Sequence, residues 1–143
     1  MRFTGIAART APTAPASCRM SFSSSKRRGR APPPAVVSNK ADYAVQALAA
    51  RYFPGLFDCA AGESASVRRK PAPDGVLSVL SALGVPKEEA VYVGDSEVDM
   101  ETAENAGLPC ISVTWGFRPR TFLLARGARL LADSADELEA LLS

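Results

Sequence analysis

The chain has 143 residues, enough for one domain and too few for two ordinary ones, with the 47% hydrophobic and 22% charged content of an average soluble protein. No apolar run approaches the roughly 20 residues of a membrane span, so a cytoplasmic protein without membrane association is expected. Residues 1–41 hold eight Lys or Arg and no Asp or Glu, whereas 42–143 hold nine bases against fifteen acids, so the net charge of +2 belongs to the leader and gives no reason to expect nucleic-acid binding.

Residues 8–35 are rich in Ala, Pro, Ser, Thr and Arg, show neither period 2 nor period 3.6, and end in Pro32-Pro33-Pro34. Such a composition buries too little apolar surface to offset its ordering entropy. A disordered basic leader over 1–34 and a folded body over 35–143 are therefore expected. Within the leader, Lys26-Arg27-Arg28-Gly29-Arg30 is a basic cluster without interleaved aromatics, a weak signal for nucleic acid.

From Ala35 the texture alternates. Ala35-Val36-Val37 reads as a strand, Ala41 to Arg51 as a helix, and Phe57-Asp58-Cys59-Ala60 as a second strand. Pro73 suits a first helical position before Val76, Leu77, Val79, Leu80 and Leu83, with Gly84 as terminator. Ala90-Val91-Tyr92-Val93 reads as a buried strand, 97–106 as a helix stopped by Gly107, and Ile111-Ser112-Val113-Thr114 as another strand. Pro119 to Arg126 is helical, Ala128 to Leu131 a short strand, and Ala135 to Leu142 a closing amphipathic helix. Strands and helices in strict alternation predict an α/β fold on a parallel sheet. Cys18, Cys59 and Cys110 form no CxxC pair, and Cys59 and Cys110 read as free, buried small hydrophobes. With no His, a zinc site is not expected.

Three segments could carry chemistry. Gly94-Asp95-Ser96-Glu97-Val98-Asp99 places two carboxylates four residues apart at a strand-to-helix turn, where open α/β sheets bind ligands. Hard cations such as Mg²⁺ take a few carboxylate oxygens, retained waters and a phosphate partner. The plainer alternative is that Asp95 or Ser96 caps the helix and the acidic first turn complements its dipole. Glu97 and Glu101 are rotated away from that pair and expected to be solvated. Lys70, in Arg68-Arg69-Lys70-Pro71-Ala72-Pro73, could present an ammonium to a phosphoryl oxygen or simply belong to a solvated basic loop. Ser38-Asn39-Lys40 could hold phosphate through a hydroxyl and backbone amides at a helix start, or provide an ordinary Ser cap.

In combination the three are far more specific. Val37-Ser38-Asn39-Lys40, Tyr52-Phe53-Pro54-Gly55, Lys70-Pro71-Ala72-Pro73, Val93-Gly94-Asp95-Ser96 and Thr114-Trp115-Gly116-Phe117-Arg118 resemble segments of the haloacid dehalogenase-like hydrolases, in particular the phosphoglycolate phosphatase-like branch. The similarity runs from about Val36 to Leu142. It implies a Rossmann-like parallel core and a Mg²⁺-dependent phosphomonoester hydrolase acting on a small phosphorylated metabolite. By the same resemblance, Ser38 would donate to the transferred phosphoryl group, with the Asn39 amide nearby. Lys70 would neutralise the nucleophile and the phosphoryl oxygens. Asp95 would ligate Mg²⁺, and Asp99 would support the metal site or orient Lys70. Such catalysis is largely positioning and charge stabilisation.

One piece of the pattern is missing. The family's reaction starts from an aspartate in a DxDGT-like motif ending the first strand, but no Asp or Glu precedes Asp42. Met1-Arg2-Phe3-Thr4-Gly5-Ile6 resembles the opening of that strand, yet Ala7-Ala8-Arg9-Thr10-Ala11-Pro12 follows. Too few residues remain before Ala35 for the family's helical cap. An incomplete core is therefore expected, defective at its centre unless residues 2–7 fill the gap between neighbouring strands. A damaged reading frame, leaving an inactive fragment, accounts best for this. An Arg- and Ser-bearing transit peptide and a non-catalytic module that binds Mg²⁺, phosphate or a protein are the alternatives.

Overall fold

The protein, seen in a computed structural model, is described here over residues 5–8 and 34–142; the expected disorder of the leader otherwise falls outside the described residues. Six strands form one sheet: β1 (Gly5–Ala8), β2 (Pro34–Ala41), β3 (Cys59–Glu63), β4 (Ala90–Gly94), β5 (Cys110–Val113) and β6 (Leu130–Ala132), in the order β3-β2-β1-β4-β5-β6. Five helices connect or follow them: α1 (Asp42–Tyr52), α2 (Asp74–Leu83), α3 (Glu97–Ala106), α4 (Arg120–Ala125) and α5 (Ala135–Leu142). The α/β alternation expected from the sequence is present throughout the body. No helix among the described residues is long and apolar enough to cross a membrane.

Period-2 alternation puts the two faces of the sheet into separate clusters. Ala90 and Tyr92 of β4 join Ala35, Val37 and Cys59 beneath α2 and α3, whose Val76, Val79, Leu80, Leu83, Ala103 and Ala106 are all buried. Val91 and Val93 point the other way, with Ile111, Val113 and Ala132, and pack against Leu138 and Leu142 of α5. Both α2 and α3 end in left-handed glycines, Gly84 at φ 64° and Gly107 at φ 75°, a backbone conformation with no steric penalty for glycine.

Three expectations need correction. The sheet is not parallel throughout: β2–β3, β4–β5 and β5–β6 pair in parallel, but β1 runs antiparallel to both β2 and β4. Gly5 sits between Val36 and Val93, so residues 5–8 fill the central gap. Backbone donors and acceptors pair in either direction, so a short strand can satisfy two facing edges without the family's crossover. Second, Ser38-Asn39-Lys40 does not open a helix. It continues β2 through a register irregularity against β3 between Val37 and Ala41, and α1 starts at Asp42. Third, Cys59 is disulfide-bonded, leaving Cys110 as the free thiol among the described residues. Burial, reinforced by the nearby Asp99 charge, pushes the Cys110 thiol up to about 12, so it stays protonated.

Candidate active site

All the expected site segments meet at the C-terminal ends of β2 and β4, where ligands bind in open α/β sheets. Ser38, Asn39, Lys40, Lys70, Asp95 and Asp99 line one cleft of about 620 Å³, with Arg69, Glu97 and Phe117 at its walls. The sequence places these residues up to 79 positions apart (Ser38 to Phe117).

The turn after β4 holds the helix cap that the sequence offered as the plainer alternative. Ser96, not Asp95, caps α3. Its backbone is extended, its Oγ accepts from the Asp99 N–H at 3.4 Å, and its hydroxyl donates to Asp99 Oδ2 at 2.8 Å. Asp95 is thereby left to project from the strand end, 5% exposed. Its Oδ2 accepts the Phe117 N–H at 2.9 Å, and its backbone carbonyl accepts the Arg118 N–H at 3.1 Å.

Asp99 is 2% exposed and surrounded by donors. Lys70 Nζ donates to Oδ1 at 2.7 Å and the Tyr92 hydroxyl to the same oxygen at 3.3 Å; the Asp95 N–H donates to Oδ2 at 3.1 Å alongside Ser96. A carboxylate offers about four lone-pair sites, and these four donors occupy them. These contacts tie Asp99 directly to the Lys70 ammonium. Burial opposes ionisation of Asp99, but the Lys70 charge and these hydrogen bonds outweigh it and hold the carboxyl below its usual range.

Lys70 is fixed from both sides. Its backbone N–H donates to Asn39 Oδ1 at 2.6 Å, and Asn39 Nδ2 reaches back to the Lys70 carbonyl at 3.4 Å. Asn105 Nδ2 donates to the carbonyl of Pro71 at 2.9 Å, and the Lys70–Pro71 peptide is cis. The Asn39 side chain therefore holds the lysine loop. Ser38 Oγ accepts from the Lys40 N–H at 3.2 Å and faces the same cleft.

Several participants were not anticipated. Asn105, the Tyr92 hydroxyl and the Phe117 amide serve the site from positions that carry no chemical signature in sequence. The expectation that Glu97 is solvated fails: it is half-buried and pairs with Arg118, whose Nε donates at 2.8 Å. That side-chain hydrogen bond holds the Glu97 carboxyl down at about 2. Glu101 is exposed, as expected.

These pairings set an acid limit on the fold. Asp74 is held low first by the side-chain hydrogen bond from Arg68, Asp133 by the Thr114 hydroxyl and then Arg120, and Glu97 and Asp99 as above. All four are depressed in the folded state. Their stabilising contribution is complete above the ordinary carboxylate range and is lost as pH falls through the folded values. The thermal midpoint should be level from pH 5 to 8 and fall between about pH 4.5 and 2, which a melting series checks. A midpoint that held level down to pH 3 would contradict this.

Magnesium is the cofactor that the sequence resemblance implies. Among the described residues, no group of three His, Cys, Asp or Glu is placed to hold a metal ion. Asp95 and Asp99, the carboxylates expected in that role, both line the cleft, and Asp99 already accepts from four donors. Mg²⁺ keeps several waters and is commonly held by one or two carboxylates together with a phosphate. The donor set fits the ion on those terms alone.

Comparison with known proteins follows the same lines. The haloacid dehalogenase-like hydrolase family matches residues 34–113. The phosphoglycolate phosphatase of Aquifex aeolicus is 36% identical over 84 residues, which cover 58% of this chain and 39% of that protein. That of Rhodobacter capsulatus is 38% identical over 87 residues, covering 60% and 39%. A solved structure named for phosphoglycolate phosphatase, from Lactobacillus delbrueckii subsp. bulgaricus, superposes with a TM-score of 0.74 at 49% identity, covering 76% of this chain and 45% of that one. The chain thus spans less than half the length of each of these relatives.

Proposed function

The chain belongs to the haloacid dehalogenase-like hydrolase family, and from that premise we propose that it is the phosphate-binding part of a phosphomonoesterase core that lacks its nucleophile. The observation that carries this reading is the convergence of Ser38, Lys70 and Asp95 on one cleft, in a sequence with no Asp or Glu before Asp42. Lys70, steadied by Asp99 and Asn39, neutralises a bound phosphoryl group. Ser38 donates a hydrogen bond to it. Asp95 holds Mg²⁺ together with the ligand's phosphate, and the ion supplies neutralisation of the phosphoryl oxygens. The ligand class is a small phosphorylated metabolite of the cytoplasm, such as the 2-phosphoglycolate named for its relatives.

Phosphoryl transfer to the protein needs an aspartate at the attacking position, and no Asp or Glu precedes Asp42 in this sequence. The protein as it stands should therefore hydrolyse p-nitrophenyl phosphate with Mg²⁺ no faster than a buffer blank. Calorimetric titration with Mg²⁺ and inorganic phosphate should still show binding, weakened at least about tenfold in Lys70→Ala through loss of the charge-assisted contact. Hydrolysis that disappears in Asp95→Asn would overturn the inactive reading. Absence of any phosphate binding would overturn the site.

A further inference from the structure

We propose that Arg118 and Glu97 form a latch that fixes the orientation of Asp95, making both of them positioning residues for the metal–phosphate site. The inference rests on the reading of Asp95 as the metal-holding carboxylate. Asp95 reaches out of β4 towards the loop that follows β5, and that loop supplies two backbone donors to it. The Phe117 N–H bonds Oδ2 at 2.9 Å and the Arg118 N–H bonds the Asp95 carbonyl at 3.1 Å. Where the carboxylate points therefore depends on where the loop backbone lies.

Three contacts hold that backbone. Both ends of the loop are tied to Asp133: Thr114 Oγ1 donates to Oδ1 at 2.8 Å, and Arg120 Nη1 to Oδ2 at 2.6 Å. In the middle, the Arg118 guanidinium makes a two-pronged bond to Glu97, Nε to Oε2 at 2.8 Å and Nη2 to Oε1 at 2.5 Å. The same guanidinium lies 4.4 Å from the ring centroids of both Phe117 and Phe122.

A lone surface ion pair contributes little, but this one is bidentate and stacked on two rings, a combination only the planar guanidinium can make. Glu97 is two residues beyond Asp95, in the first turn of α3. The latch therefore closes a short ring: Asp95 to the loop through backbone bonds, the loop to Glu97 through Arg118, and Glu97 back to Asp95 along the chain. Outer contacts of this kind orient a metal-holding carboxylate, and their loss commonly costs tenfold or more in metal affinity.

Backbone amide hydrogen exchange in the full chain, followed by NMR, tests this directly. In Arg118→Ala the Phe117 and Arg118 amides should exchange at least about tenfold faster, while the Tyr92 amide, bonded to the Pro109 carbonyl, keeps its rate. Mg²⁺-dependent binding of inorganic phosphate should weaken about tenfold in the same variant. Arg118→Lys, which keeps the charge but not the fork, should fall between, and it replaces the alanine variant if that one does not fold. A Phe117 amide as protected in Arg118→Ala as in the parent overturns the proposal. So does equal loss of protection at Phe117 and Tyr92, because that reports general destabilisation. If the parent protein binds no phosphate, the reading of Asp95 fails, while the exchange rates still decide whether the latch exists.

Discussion

Asp99→Asn should destabilise the protein by about 3 kcal/mol, the lower end for breaking a buried ion pair. The pair is well enclosed, with side chains 11% exposed at Lys70 and 2% at Asp99. Four donors surround the Asp99 carboxylate: the Lys70 ammonium, the Tyr92 and Ser96 hydroxyls and the Asp95 N–H. An asparagine must turn its NH₂ towards one pair of those donors, whichever way its amide is flipped. The variant therefore loses the charge and gains a donor–donor conflict together. Urea unfolding at pH 7 with an unchanged slope measures the cost; a loss below about 1 kcal/mol would place the pair with exposed ones, which contribute little. Lys70→Met added to Asp99→Asn should recover part of the loss, because no buried ammonium then remains beside an uncharged partner.

Gly116→Ala should separate binding from stability in the opposite sense. A Cβ at Gly116 would overlap the Cβ and Oδ2 atoms of Asp95, with its Cγ 2.7 Å away. Asp95 would have to swing out of line or the loop would have to lift, and either movement breaks the Phe117 bond to its carboxylate. Overpacking of this kind costs about 1–3 kcal/mol. Because Lys70 and Asp99 are untouched, the fold should survive at about 2 kcal/mol lower stability while Mg²⁺-dependent phosphate binding disappears from a calorimetric titration. Gly94→Ala makes the companion case: its Cβ would meet Asp99 at 2.7 Å from Cγ and 2.9 Å from Oδ2, so the lysine clamp is damaged instead. Full phosphate affinity in Gly116→Ala would show that the loop yields without disturbing Asp95.

The alternation of strands and helices was readable because its punctuation is local. Gly84 and Gly107 end α2 and α3 where expected, and α5 spans the residues its apolar spacing marked. Elements that depend on partners were displaced. The second strand of the body lies at Cys59–Glu63 and not at 57–60, because Ala60 and Ala61 have little strand preference and are held by pairing with Val36 and Val37 of β2. The last strand is Leu130–Ala132, two residues later at its start than the apolar run suggested. The direction of β1 was unreadable, since pairing sense is not encoded in a four-residue pattern. At the site, Asp95, Lys70 and Ser38 were nameable from the sequence and line one cleft, whereas the different hydrogen-bond partners of Asp95 and Asp99 were not. Ser96, three residues before Asp99, was the available sign that Asp99 would be occupied within its own turn.

The short central strand has a mechanical consequence. Among the described residues, β2 and β3 on one side, and β4, β5 and β6 on the other, meet along the four-residue strand β1. The bonds from Lys70 to Asp99 and from Asn105 to the Pro71 carbonyl both cross from one half to the other. These polar groups therefore act as sutures across the sheet's central join, and a bound phosphate, gripped by Ser38 and Lys70 from one bank and Asp95 from the other, would add one more stitch.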